Sequence, residues 1–397
     1  MSLPVSDLLS EYGSPLYVYD LDLVRERART LREAIAYEPT RLLYAIKANP
    51  CPGVACVLVE EGYGVDAVSS GEVALALRLG LSPQDILYTE NNMTDAEMQE
   101  ALREGVLINC GSCDRLRRLG QAGGRRAAVR FNPDIGGGLH AHVCTAGPLT
   151  KFGVHHSRVD EVLAIERDTG VRVVGCHMHI GSGILDAELY ARAMRVILDV
   201  AVRLPHLQFI DFGGGLGIPY HDEDRPMDLR RLGRAATGLM EEFTAEEGRR
   251  LELRLEPGRF LVGEAGTLYT TVTSVKTNPD GRCYVGCDTG FNHLLRPILY
   301  DSHHRIDNVS NPDAPPVLVD VVGNICETGD VFARERAIPQ PSRGDVLAIR
   351  DTGAYGMSMA STYNLRPLPA EVGLSHGAVR LLRPRQSIDD LLQQWSW

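Results

Sequence analysis

From Arg41 onward the chain alternates two patterns. Short, nearly continuous apolar runs occur at Arg41–Asn49, Gly64–Ser70, Asp85–Asn91, Val106–Gly111, Arg125–Pro133, Arg172–Ile180, Leu207–Gly214 and Leu251–Gly258. Between several of them, at Glu72–Leu79, Asp95–Glu104, Val159–Asp168 and Ala187–Leu204, apolar residues recur every three to four positions, the spacing of a helix with one buried face. Runs without polar alternation are what parallel strands covered on both faces require. Eight such strand–helix units over roughly 220 residues match a (β/α)₈ barrel, with a doubly wound sheet as the competing architecture. Polar residues decide between them, because they gather at the C-terminal ends of the strands, where a barrel carries its site. Lys47, Asp66 with Ser69, Glu90 with Asn91, Asn109, Arg130 with Asn132, His177 with His179, Asp211, and Glu256 with Arg259 all fall there. The fold class is therefore read as α/β, a barrel over residues 25–265.

The rhythm changes near Gly266. Leu268–Lys276, Arg282–Cys287, Pro316–Val322 and Asp345–Arg350 read as strands separated by Pro and Gly, with little helix, and predict a mostly antiparallel second domain over 266–397. Residues 1–24 carry a strand near Ser14–Asp20, which is expected to join that domain, before a helix at Leu21–Ala36. Of the 397 residues, 44% are hydrophobic and 23% charged, ordinary globular values, and the net charge of −11 argues against a nucleic-acid partner. The first twenty residues show neither a signal peptide nor a membrane span. Nine cysteines scattered along the chain suggest free thiols in a reducing, cytoplasmic setting. Cys110 and Cys113 have C-x-x-C spacing, but no second pair matches it, so no metal site is expected there.

Lys47 ends the first apolar run, just before the turn pair Asn49-Pro50. An amine at the end of a buried strand loses hydration, which lowers its pKa and suits it to nucleophilic work, although a lysine that merely snorkels outward has the same local sequence. Asp211-Phe-Gly-Gly-Gly-Leu-Gly217 follows the seventh run and Glu256-Pro-Gly-Arg259 the eighth. Glycine-rich turns at those two positions are a recurrent phosphate cradle in barrels, and no Gly-Lys-Ser/Thr follows to make a nucleotide loop. Alternation along the sixth run places His177 and His179 on one face, where they suit a stacked ring, a metal or a purely structural role. An amine, a phosphate cradle, a stacking imidazole and the carboxylate of Glu256 together fit one cofactor, pyridoxal 5′-phosphate.

Several motifs then stand in order from Tyr17 to Val372: Tyr44-Ala-Ile-Lys-Ala-Asn49, His179-Ile-Gly-Ser182, Gly213-Gly-Gly-Leu-Gly217, Glu256-Pro-Gly-Arg259, Arg296-Pro-Ile-Leu-Tyr300, Cys326-Glu-Thr-Gly-Asp330, and Gly353-Ala-Tyr-Gly-Met-Ser-Met-Ala-Ser-Thr-Tyr-Asn364 followed by Arg366-Pro-Leu-Pro-Ala-Glu-Val372. The sequence resembles the diaminopimelate decarboxylase family of fold-type III pyridoxal phosphate-dependent decarboxylases. That resemblance implies decarboxylation of meso-2,6-diaminopimelate to L-lysine and carbon dioxide, the last step of lysine biosynthesis. It implies Lys47 as the covalent anchor of the cofactor and His179 stacked on its ring. Asp66 is expected at the cofactor, and Glu256 at the ring nitrogen. Ser182, Gly214, Gly215, Gly258, Arg259 and Tyr355 are expected at the phosphate. Arg259, Arg296, Tyr300 and Tyr355 are expected at the substrate, Glu327 at its distal ammonium, and Cys326 as proton donor near Cα. The resemblance further implies a homodimer whose sites are shared, with Cys326 and Glu327 supplied by the partner, and no membrane attachment.

The residues support the substrate on their own terms. Two arginines and a tyrosine make a carboxylate clamp that a decarboxylase of ornithine or lysine does not need, and Glu327 supplies the opposite charge. Arg296 is read as a strand end followed by Pro297. A racemase of the same fold has no use for this clamp, a carrier protein would lack the second domain, and a silent homologue would be expected to lose Lys47 or Cys326. Departures from the family are Thr328 where serine is frequent, Gly183 where glutamine is frequent, and the glycine-rich loop Asp134–His142; they leave room for a related amino acid of secondary metabolism as substrate.

Overall fold

All eight apolar runs form strands that pair in parallel, in the order predicted by a barrel. The computed structural model describes residues 4–137, 145–147 and 150–396. Strands Thr40–Ala45, Gly64–Ala67, Ile86–Thr89, Leu107–Cys110, Arg126–Asn132, Arg172–His177, Phe209–Asp211 and Glu252–Leu255 follow one another round the sheet, and Glu252–Leu255 pairs back onto Thr40–Ala45 to close it. A short strand, Val154–His155, adds to Arg126–Asn132. Leu43, Leu87, Ala128, Val174 and Phe209, from five different strands, pack into one buried cluster. Burying each large side chain there contributes about 2 kcal/mol relative to exposure, so the closed sheet is held by its own apolar runs.

The strands are shorter than the apolar runs at their C-terminal ends, and the difference matters for the site. The first stops at Ala45, and Ile46–Ala48 turns as a 3₁₀ helix that carries Lys47. Tyr44 donates its hydroxyl to the Asn49 carbonyl (2.8 Å), and the Asn49 side chain accepts from the Cys51 amide (3.0 Å), which fixes that turn. The sixth stops at His177, so His179 lies beyond the strand and the alternation rule no longer relates the two histidines.

Residues 25–218 and 225–260 cluster as one unit, and residues 1–24, 219–224 and 261–397 as another. The short 219–224 segment, which leaves the barrel run to join the second unit, has no signature in the apolar pattern. Among the described residues of the second unit, nine strands form a mostly antiparallel sheet. Leu16–Asp20 lies at its centre, antiparallel to Gly266–Thr277 and parallel to Ala370–Ser375. The four strands expected from sequence are joined by Ile306–Asn308, Val331–Pro339, Ala370–Ser375 and Ala378–Arg383, whose charged or interrupted sequences hide them. Arg296 corrects the reading of a strand end: it is the first residue of a short helix, Arg296–Tyr300, in which Pro297 takes the first-turn position where its missing N–H costs nothing. Of the glycine-rich loop, residues 138–142 lie outside those described. Among the described residues no helix is long and apolar enough to cross a membrane.

Candidate active site

The barrel unit supplies a tightly packed set of polar groups at its strand ends. Lys47 Nζ forms an ion pair with Asp66, whose side chain is fully buried while that of Lys47 is about a third exposed (32%). The lysine is therefore a poised ammonium with a carboxylate partner, not the bare, dehydrated amine that the strand pattern suggests. Glu256 and Asp211, at the ends of adjacent strands, are both buried, and His177 lies with them. His177 Nε2 stands 3.0 Å from Glu256 Oε2. Burial pushes the imidazole down to about 4, so the neutral ring shares a hydrogen bond with Glu256 and no full ion pair forms. Burial also drives both carboxyls well above their usual range, and their mutual repulsion adds to the shift for Asp211.

Among the described residues this trio is also the one set of histidine and carboxylate donors close enough to surround a cation, with atoms within 4.8 Å of one another. The two histidines read as a pair in sequence thus have separate partners. His179 Nδ1 accepts from the Gly214 amide at 3.2 Å, which places the ring proton on Nε2. His179 is half-buried by surface area, yet the protein packed round its ring, followed by the cations Arg130 and Lys47, holds it neutral well below the ordinary histidine range.

The glycine loop depends on absent side chains. A Cβ on Gly214 would lie 1.9 Å from the Glu256 carbonyl oxygen, so the loop after the seventh strand can touch the loop after the eighth only because it carries no side chain there. Gly215 has φ +99, and its carbonyl accepts from the amides of Gly183 (3.0 Å) and Ile184 (2.9 Å). Gly183 itself has φ +83, a conformation that a larger residue rarely adopts. Arg259, 6% exposed, directs Nη2 to Ser182 Oγ at 3.0 Å. Its guanidinium therefore meets a residue expected at the phosphate, while Gly258 lies just ahead of it in the turn. These groups fit pyridoxal phosphate. Glu256 Oε1 is buried with no hydrogen-bond partner, which a protonated ring nitrogen would supply, and the close approach of Gly214 to the Glu256 carbonyl makes a glycine turn of the kind that binds phosphate.

Other polar strand ends are structural. Glu90 spends its carboxylate on the amides of Gly111 (2.7 Å) and Met93 (3.3 Å), and Asn132 bonds the backbone of Gly147. Arg130 is buried and stacks over Phe152 at 4.7 Å; burial pushes it down to about 10. Cys110 is the buried last residue of a strand and Cys113 the first residue of the next helix, its thiol pushed up to about 11 by burial.

The second unit carries the remaining candidates. Arg296 (3% exposed) donates from Nη1 to His304 Nε2 at 2.8 Å, and Tyr300 ends the same short helix, half-buried. Tyr355, also half-buried, adopts φ +57, a strained backbone that costs on the order of 1–3 kcal/mol and marks a position under demand. Cys326, Glu327 and Thr328 form an exposed loop. The buried Asp330 carboxylate organises it by accepting from the amides of Ile325 and Phe291 (both 2.7 Å). Cys326 N–H donates to Asn364 Oδ1 at 3.2 Å, and Tyr363 donates to Glu327 Oε1 at 2.6 Å. His304, Tyr363 and Asn364 were not singled out by residue chemistry. Two of them stand in a quoted motif, but nothing in its spacing tells which member holds which loop.

Residues 21–263 match the family described as pyridoxal-dependent decarboxylase, pyridoxal binding domain. The chain is 46% identical over 398 residues to diaminopimelate decarboxylase of Methanothermobacter thermautotrophicus, covering 98% of this chain and 92% of that one. It is 36% identical to the enzyme of the same name from Escherichia coli strain K12, covering 97% and 94%. Among solved structures, diaminopimelate decarboxylase from Helicobacter pylori complexed with L-lysine superposes with a TM-score of 0.91 at 30% identity, covering 98% of this chain and 99% of that one. The barrel, its lysine, its glycine cradle and these likenesses agree, and the chain belongs to the diaminopimelate decarboxylases within the pyridoxal-dependent decarboxylase family.

Proposed function

We propose that this chain uses pyridoxal 5′-phosphate to decarboxylate meso-2,6-diaminopimelate, giving L-lysine and carbon dioxide in lysine biosynthesis. The observation that carries the reading is the barrel rim, where the Lys47–Asp66 ion pair, the unmet Oε1 of Glu256 and the Gly214 turn against the Glu256 carbonyl stand together. Bound pyridoxal phosphate supplies a protonated ring that takes up the electron pair left by a departing carboxylate. Lys47 would hold the cofactor covalently, and Asp66 would hold the Lys47 ammonium whenever it is released. Glu256, braced by His177, would meet the ring nitrogen and favour its protonated form, and His179 would face the ring. Ser182, Gly214, Gly215, Gly258, the Arg259 backbone and Tyr355 hold the phosphate.

Arg259, Arg296 and Tyr300, with Tyr355, are assigned to the substrate, the first three to its distal carboxylate, and Glu327 to the distal ammonium. Cys326 returns a proton to Cα after carbon dioxide leaves. The exposed position of Cys326 and Glu327 supports a homodimer in which these two residues of one copy complete the site of the other. A free, exposed thiol in that role fits a reducing, cytoplasmic setting.

A substrate panel tests the reading. Carbon dioxide should be released from meso-diaminopimelate, with little from L-lysine or L-ornithine, which lack the distal carboxylate. Equal rates on all three would remove the basis for assigning Arg296 and Tyr300 to that carboxylate.

A further inference from the structure

Arg296 is buried, and its guanidinium is fixed from two directions within its own unit. Its Cζ lies 4.5 Å from the centroid of the Tyr220 ring, so it rests on an aromatic face. Its Nη1 donates to His304 Nε2 at 2.8 Å. His304 is fully buried, and its Nδ1 stands 2.8 Å from the Arg350 carbonyl oxygen, which can only accept. The ring proton must therefore sit on Nδ1, leaving a lone pair on Nε2 for Arg296 to fill. Two partners thus select one neutral tautomer. The His304 ring also meets the Tyr220 ring edge-on, with centroids 5.5 Å apart and planes at 79°.

The support behind this corner is backbone, not mobile side chain. His304 stands two residues before strand Ile306–Asn308, whose pairing with Val346–Ile349 brings the Arg350 carbonyl into place. The Arg350 amide closes the same register by donating to the Arg305 carbonyl at 2.9 Å. Tyr220 belongs to the short segment that leaves the barrel run. Its carbonyl accepts from His303 Nδ1 (2.9 Å), and its amide donates to Asp224 Oδ2 (3.0 Å).

A guanidinium grips a carboxylate through two parallel N–H groups only when its plane is held, and a long side chain does not hold its own plane. A carboxylate in place of His304 would fix that plane but would also cancel the positive charge that the substrate needs. A neutral imidazole fixes it and leaves the charge intact. We propose that His304, backed by Tyr220, is a positioning residue that presents Arg296 to the distal carboxylate of the substrate without neutralising it. This rests on the assignment of Arg296 given above.

The test compares holoenzymes of wild type, Arg296→Ala, His304→Ala, His304→Gln and Tyr220→Leu by steady-state kinetics on meso-diaminopimelate, with the absorbance of the bound cofactor recorded for each. The expected pattern is a rise in KM of at least about tenfold for His304→Ala, with kcat within about threefold and the cofactor band unchanged. His304→Gln, whose side-chain oxygen can accept from Arg296, should recover most of that loss. Tyr220→Leu should raise KM several-fold. If Arg296→Ala raises KM and neither His304→Ala nor Tyr220→Leu does, the positioning role is overturned while the substrate assignment survives. If Arg296→Ala leaves KM unchanged, the assignment and the positioning role fall together. Should His304→Ala fail to fold, Tyr220→Leu gives the same decision.

Discussion

The candidate residues of the barrel and those of the Cys326 loop live in opposite environments. Asp66, His177, Asp211 and Glu256 are at most 3% exposed, and burial with close neighbours sets the protonation of His177, Asp211 and Glu256. Cys326, Glu327 and Thr328 stand on the surface, held by backbone contacts to Asp330 and Asn364 and by a tyrosine hydroxyl. Cofactor chemistry needs the first environment, because the attraction between a charged ring nitrogen and a carboxylate is strongest where water does not screen it. A proton donor left in water has no such control. The loop is therefore preorganised in shape but unfinished in environment, and a second copy of the chain is what we propose finishes it.

The largest expected effect lies in the barrel. Lys47→Ala should abolish the absorbance of the covalently held cofactor near the visible edge and reduce turnover below detection; a retained band would overturn the assignment of the anchor. Cys326→Ala should keep that band and lower kcat by about 10²- to 10⁴-fold, the range for loss of a positioned proton donor. The two variants together sharpen the contrast. If one copy supplies Lys47 and the other Cys326, mixing the two inactive proteins restores one intact site in each mixed dimer. That recovers at most about a quarter of wild-type activity after subunit exchange. No recovery under conditions where exchange is verified would place both groups in one chain. Gly214→Ala comes next: its Cβ would strike the Glu256 carbonyl at 1.9 Å, so the cradle must open. The expected result is cofactor affinity weakened by about tenfold or more in a titration of the apoenzyme, with the fold kept.

Much of the barrel half was legible in the sequence, and less of the other. Eight apolar runs gave the strands because parallel strands covered on both faces leave an unbroken signal, and the rim polar residues marked the end at which to look. Lys47, Asp211 and Glu256 were found by position along those strands. What position could not give was partnership. His177 and His179 looked equivalent by alternation, yet the strand stops at His177, and one ring turns to Glu256 while the other takes the Gly214 amide. In the second unit, Val331–Pro339 carries three charged residues and Ala378–Arg383 two, patterns that a surface strand tolerates but that no periodicity announces. His304 and Tyr220 are 84 positions apart and meet only through tertiary structure, so their joint hold on Arg296 has no local signature.

The smallest effect concerns two buried neutral histidines, His177 in the barrel and His293 in the second unit. Burial lowers both to about 4. An unfolded chain takes up a proton at each near pH 6.5, whereas the folded protein does so only near 4. Their contribution to stability is thus complete above about 6.5 and is lost as pH falls toward 4. At about 1.4 kcal/mol per unit of pKa, each histidine alone costs on the order of 3 kcal/mol across that window. The settings differ, however. His177 shares its hydrogen bond with Glu256, and the raised carboxyls of Glu256 and Asp211 take up protons more readily folded than unfolded, which works in the opposite direction as pH falls. His293 meets the hydroxyl of Thr289 at 2.9 Å; burial, then the cations Arg385 and Arg366, lower it against a hydrogen bond to the Pro367 backbone that raises it. Because the Glu256 and Asp211 carboxyls remain after either substitution, His293→Gln and His177→Gln should flatten the acid side of the stability profile by similar amounts, read as denaturant midpoints at pH 7, 5.5 and 4. Less flattening by His177→Gln than by His293→Gln would overturn that expectation and show that His177 takes up its proton in step with Glu256 and Asp211, not on its own.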